Sequence, residues 1–203
     1  MAKRKIRKPN AEYTLPKTSG LSKATKRVLA LDPGSRNMGI SVAAVNTKGL
    51  IKIMANSIVT NPVFDLTAFG PQRDIFIQEI AKWIEVYQPN GIIIERFQTR
   101  GLLGPLIEIV SIMIGIISGR WPHIPIKLIT AATWKNEFHR RFERVTLEDL
   151  YKESRTTPHQ LDACFMGVFA LEKGLRTTFD YDPVKIMHSA ENSSLIRLIN
   201  RKR

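Results

Sequence analysis

The chain has 203 residues, of which 31 are Lys or Arg and 18 Asp or Glu, for a formal net charge of +13. That length suits one domain with tails, and the charge points to a polyanionic partner, nucleic acid before an anionic membrane surface. The one cysteine, Cys164, excludes an internal disulfide and reads as a small buried side chain in a reducing compartment.

Residues 1–26 read as a basic arm without fixed structure. Residues 1–27 carry nine Lys or Arg against one acid, Glu12, a net charge of +8. The arm is either a solubilising tail or a loose phosphate contact. No apolar stretch follows it, so a secretory signal is not expected. The folded part is expected over residues 27–176, and residues 177–203 form an extension ending in the basic "IRLINRKR".

"RVLALD" reads as a short buried strand. "MGISVAAVN" alternates as a second strand, and "GLIKIMANSIV" follows as a third, turned at Lys48-Gly49. "QRDIFIQEIAKWIEVY" places Ile77, Ile80, Ile84 and Tyr87 on one helical face, and Pro89-Asn90-Gly91 ends it. "GIIIE" is a fully apolar strand closed by Glu95. Residues 102–119, "LLGPLIEIVSIMIGIISG", are apolar all round. A membrane span is disfavoured by Pro105, Glu108, Gly115 and Gly119, so the run reads as a helix buried in a core or a subunit contact. "IPIKLIT" is a fifth strand, and the rest reads as helical. In the final helix Thr157 caps, Pro158 opens the first turn and Gln160 completes a capping box. Gly174 is the expected stop. Its expected buried face is Leu161, Phe165, Val168 and Phe169. The order β-β-β-α-β-α-β-α implies an α/β fold, a mixed five-stranded sheet with helices on both faces.

Two carboxylates then stand apart. Asp32 ends the first strand and Glu95 the fourth, each after an uncharged apolar run. If those strands are neighbours, both acids reach one edge of the sheet. His159 and Asp162 are three apart in the first turn of the last helix, hence on one face. Each has a plain reading as well: Asp32 as a turn residue before Pro33-Gly34, Glu95 as a partner of Arg96 or Arg100. Asp162 could serve only the helix dipole, and His159 could be a surface residue. Taken together, the oxygen donors suit Mg²⁺ or Mn²⁺, and two such ions can hydrolyse a phosphodiester.

"LDPGSRNMGISV" resembles the first motif of RuvC-type Holliday junction resolvases, "IIIERF" their second, and "HQLDA" their last, in the family's order. "TAATWKNEF" is similar to the lysine-bearing segment after their fifth strand. The resemblance covers roughly residues 27–174. It implies a ribonuclease H-like fold and an endonuclease that nicks branched DNA in pairs with two Mg²⁺ ions per site, Mn²⁺ being a substitute. It implies Asp32, Glu95, His159 and Asp162 as metal-binding and catalytic residues, with Lys135 near the scissile phosphate. Phe97 matches an aromatic that stacks on junction bases. Arg36, Arg100, Arg140 and Arg141 are candidate DNA contacts, with a solvated face as the plainer reading of the arginines after Lys135. A homodimer through the helix at about 102–119 is implied, without membrane or small-molecule cofactor. The extra basic arm suggests a phage, viral or organellar variant, and the expected setting is a bacterial or phage-infected cytoplasm, with nucleus or organelle as alternatives.

Two departures accompany the resemblance. His159 stands where many members carry aspartate, and "HRRFERVTLEDLY" replaces an expected glycine-rich turn. Other readings are a ribonuclease H-fold nuclease acting on flaps or RNA-DNA hybrids, and a catalytically silent DNA-binding module. A sugar-kinase or actin-like ATPase would need a second phosphate loop and about twice the length.

Overall fold

The computed structural model describes residues 24–34, 36–61, 69–96, 105–141, 146–153 and 156–175. Residues 1–23, the C-terminal extension, Phe97 and Arg100 lie outside these residues, as does the side chain of Arg141. Residues 24–26, expected in the unstructured arm, belong to the first strand because their backbone pairs with the second.

Five strands and five helices follow one another as β1 (Ala24–Pro33), β2 (Asn37–Asn46), β3 (Ile51–Thr60), α1 (Phe69–Tyr87), β4 (Gly91–Arg96), α2 (Pro105–Arg120), β5 (Ile126–Thr130), α3 (Ala131–Arg141), α4 (Leu147–Glu153) and α5 (Pro158–Leu175). The strands form one sheet in the order β3-β2-β1-β4-β5. β1 pairs antiparallel with β2, and β2 with β3. β1 and β4, and β4 and β5, are parallel. The mixed sheet expected from the strand pattern is therefore present. The one helical stretch expected after β5 is instead three helices.

β1 shows how the alternation of a strand builds two layers. Leu29 and Leu31 face α1 and α2 in a core with Ile80, Trp83 and Met113. Ala30 faces the other way, toward Trp134, Phe138, Leu161 and Phe165 from α3 and α5. Helices thus cover both faces of the sheet. On α1 the expected residues Ile77, Ile80 and Tyr87 are buried and Ile84 packs against the same core. Gln88 ends the helix in the left-handed region at φ 45°, and Pro89 prevents continuation.

α5 departs from the expected one-sided helix. It is buried without interruption from Leu161 to Val168, while Phe169 is only partly buried. Small residues allow this. A Cβ on Gly167 would stand 3.0 Å from Ala43 Cβ and 3.5 Å from Ala30 Cβ, so helix and sheet meet with almost no side chain between them. Ser41 donates its hydroxyl to the Ala163 carbonyl at 2.8 Å, which satisfies a buried polar group at the contact. The capping box is present: Gln160 N donates to Thr157 Oγ1 and Thr157 N to Gln160 Oε1, both at 3.3 Å. Gly174 does not stop the helix, which runs on to Leu175.

α2 resolves into two faces. Ile109, Val110, Met113 and Ile117 are buried against the sheet and α1. Ser111, Ile112, Gly115, Ser118 and Gly119 are exposed, Ile112 by 49%. Among the described residues no helix is long and apolar enough to cross a membrane.

Candidate active site

The β1–β4 ladder pairs Leu31 with Ile94, so the next residues, Asp32 and Glu95, stand side by side near the carboxyl ends of two parallel strands. Asp32 is still within β1 and pairs with Gly39 of β2, which removes the plain turn reading of its position. The turn proper comes after it, where Gly34 N donates to Asn37 O at 2.9 Å. Carboxyl ends of parallel strands are the common place for ligand sites in open α/β sheets.

α5 brings the other two residues. Its first turn presses on β2 at Gly39, where a Cβ would lie 1.8 Å from the His159 carbonyl oxygen. Only glycine leaves room for this approach. It seats His159 against Asp32, with Nδ1 2.6 Å from Oδ2. Asp162 lies one turn along and is 7% exposed. α3 adds Lys135, whose Nζ stands 3.3 Å from Asp162 Oδ2. Asp32, Glu95, Lys135, His159 and Asp162 therefore line one cavity of about 210 Å³, flanked by Pro33 and Pro158. All five residues of the expected catalytic set are brought together.

The expected DNA contacts are less concentrated. Arg36 is exposed on the β1–β2 turn and does not line the cavity. Arg140 is exposed on α3 and ion-paired with Glu137 at 2.6 Å.

Two site neighbours were not expected from the sequence. Trp134 of α3 donates its indole N–H to Glu95 Oε2 at 2.8 Å. Tyr151 of α4 donates its hydroxyl to Asp162 Oδ1. Tyr151 carried no signal of its own, but its helix did: Thr146 stands three residues before Asp149, and its Oγ1 accepts from Asp149 N at 3.1 Å, a helix start legible as a capping pattern.

The electrostatics are those of a crowded acidic group. Burial, and then repulsion from Asp32, pushes the Glu95 carboxyl up to about 7, against the pull of the Trp134 hydrogen bond. Burial also raises Asp162, opposed by Tyr151 and Lys135. The hydrogen bond to Asp32 holds His159 above its ordinary value, although burial works the other way. Three carboxylates and an imidazole around one cavity make a hard donor set suited to Mg²⁺ or Mn²⁺. Among the described residues no three such side chains stand in a ready-made ligand arrangement. Asp32 is turned to His159, and Asp162 to Tyr151 and Lys135. The donor chemistry fits a divalent cation.

The fold belongs to the ribonuclease H-like class. Within that class the chain is similar to the RuvC structure of Thermus thermophilus in complex with Holliday junction substrate: TM-score 0.57, 15% identity, 73% of this chain and 96% of that one. It is also similar to the yeast mitochondrial Holliday junction resolvase, with TM-score 0.54, 17% identity, and 76% and 82% of the two chains. No protein-family model and no curated protein sequence matches the chain.

Proposed function

We propose that the protein is a divalent-metal-dependent endonuclease that resolves four-way or other branched DNA junctions by paired nicks. One observation carries this reading. Three acids from β1, β4 and α5 share a cavity with His159 and Lys135, at the carboxyl ends of the adjacent parallel strands β1 and β4. Clustered carboxylates are costly beside a polyanion unless a cation offsets their charge.

Asp32, Glu95, Asp162 and His159 would hold the metal. Bound there, Mg²⁺ or Mn²⁺ would supply water activation and charge neutralisation at the phosphate. The chain's own groups do the rest. Asp32 orients His159 through Nδ1. Trp134 fixes one oxygen of Glu95. Lys135, its ammonium at the cavity, offers positive charge to the scissile phosphate. Arg36 and Arg140, both exposed, offer phosphate contacts away from the cavity. The basic arm would add non-specific affinity, and Phe97 with Arg100 and Arg141 completes the proposed DNA-contact set. The exposed face of α2 would form a homodimer contact, so that two cavities serve the two strands. The cytoplasm of a bacterium or phage-infected cell is the proposed setting.

The test is cleavage of a synthetic four-way junction, a flap, a plain duplex and an RNA-DNA hybrid, each with Mg²⁺, Mn²⁺ or EDTA. Metal-dependent symmetric nicking of the junction is expected. Preference for the hybrid or the flap would move the protein to another ribonuclease H-fold activity, and binding without cleavage would mark a silent module.

A further inference from the structure

Tyr151 is placed by a helix that does not need its hydroxyl. Leu147 and Leu150 bury α4 in the core beneath α3 and α5, and Thr146 caps its start. A phenylalanine ring would fill the same half-buried space. Yet the hydroxyl points at Asp162 Oδ1, while Lys135 Nζ meets Oδ2 of the same carboxylate at 3.3 Å. Each oxygen of Asp162 is thus held by a different helix, α4 on one side and α3 on the other.

Such a two-sided grip fixes the plane of a carboxylate. Without it, a side chain with two rotatable bonds in a cavity of about 210 Å³ has other orientations open to it. The donor role is secure. An ionised carboxylate only accepts, so the hydroxyl is the donor in this contact.

We infer that Tyr151 is a positioning residue that sets the orientation of Asp162 for divalent-cation binding, an inference that rests on the metal-dependent reading above. α4 stands in the segment that departs from the resolvase pattern, so this chain supplies its own support for the last acid from an element the resemblance does not predict. Partners of metal-binding carboxylates act in this way generally, through orientation and basicity of the ligand.

The experiment is Mn²⁺ binding by calorimetry on the full chain without DNA, for wild type, Y151F, D162N and the double variant, with thermal melts in EDTA alongside. Y151F is expected to melt near wild type and to bind Mn²⁺ about 10-fold more weakly. In the D162N background the same change is expected to cost little more, because its route through Asp162 is already gone. A folded Y151F that binds Mn²⁺ as tightly as wild type overturns the inference and leaves the metal reading standing. So does an equal loss in both backgrounds. Wild type that binds no Mn²⁺ overturns both. A second measurement keeps the ring and the hydroxyl intact: with 3-fluorotyrosine at position 151, the fluorine resonance should shift on adding Mg²⁺ in wild type and stay fixed in D162N. A resonance indifferent to Mg²⁺ in a protein that binds it also overturns the inference.

Discussion

His159 Nδ1 lies 2.6 Å from Asp32 Oδ2, across 127 positions of sequence. The contact ties the start of α5 to the end of β1 and gives Asp32 a partner inside the protein. Asp32→Asn keeps the size of the side chain and its place in the ladder, but removes the charge that a hard cation and His159 both use. The variant is expected to fold with a loss of about 1–2 kcal/mol. It should bind junctions at least as well as wild type and lose cleavage by roughly 10³-fold or more. Junction nicking and binding, measured on the same folded preparation, check this. Near wild-type nicking would sink the assignment of the cavity.

The raised Glu95 carboxyl makes stability depend on pH. Its value rises from 4.5 in the unfolded chain to about 7 in the fold, so the native state binds the proton more tightly. The contribution is favourable below about 4.5 and is lost as pH climbs through about 7. Glu95→Gln keeps an acceptor for Trp134 and carries no charge. In EDTA it should be more stable than wild type at pH 8 by about 1–2 kcal/mol, discounted for partial exposure, and should lose that advantage at pH 5. Added Mg²⁺ should stabilise wild type and not the variant. Denaturant titrations at the two pH values decide it, and a variant less stable at pH 8 would contradict it.

Gly39→Ala tests whether the approach of α5 to β2 sets the site. The new Cβ would lie 1.8 Å from a backbone oxygen, which cannot move aside like a side-chain tip. A loss of about 2–4 kcal/mol is expected, or displacement of the first turn of α5 with loss of cleavage. Gly167→Ala would be tight only on Ala43 Cβ at 3.0 Å, with Ala30 Cβ and Ser41 Oγ in ordinary contact at 3.5 Å, and should cost about 1 kcal/mol. Urea unfolding of the pair measures the difference, and equal costs would show that the contact yields.

The proposed dimer has a clean probe in Ile112, exposed by 49% on α2. Ile112→Glu should leave the fold within about 0.5 kcal/mol of wild type and shift sedimentation from dimer to monomer. Ile116, which packs partly against the core, would confuse association with folding. Wild type that sediments as a monomer at micromolar concentration would remove the dimer proposal.

Asp32 and Glu95 were legible in the sequence because each closes a run with no other charge, and a charge after a buried apolar run marks the end of a strand's buried part. The capping box at Thr157 and Gln160 was legible because it is local. Trp134 and Tyr151 were not, since an indole or phenol near an acid depends on how α3 and α4 dock, which no spacing records. The burial of α5 was underestimated for a related reason. Its expected face was chosen by bulk, as Leu161, Phe165, Val168 and Phe169. Close approach is instead made by the small residues Gly39, Gly167, Ala43 and Ala30, whose effect appears only when helix and sheet meet.

The order in which the site is delivered has a consequence for a chain emerging from the ribosome. β1 and β4 are made first and can pair, but Asp162 and His159 arrive on α5, the last described element. The cavity closes only when that helix settles into the strip of small residues on the sheet. A chain cut before α5 therefore keeps Glu95 with Trp134 but leaves Asp32 without His159, and lacks Asp162. On the proposed reading, the cutting chemistry would have to wait until α5 has been made and has docked.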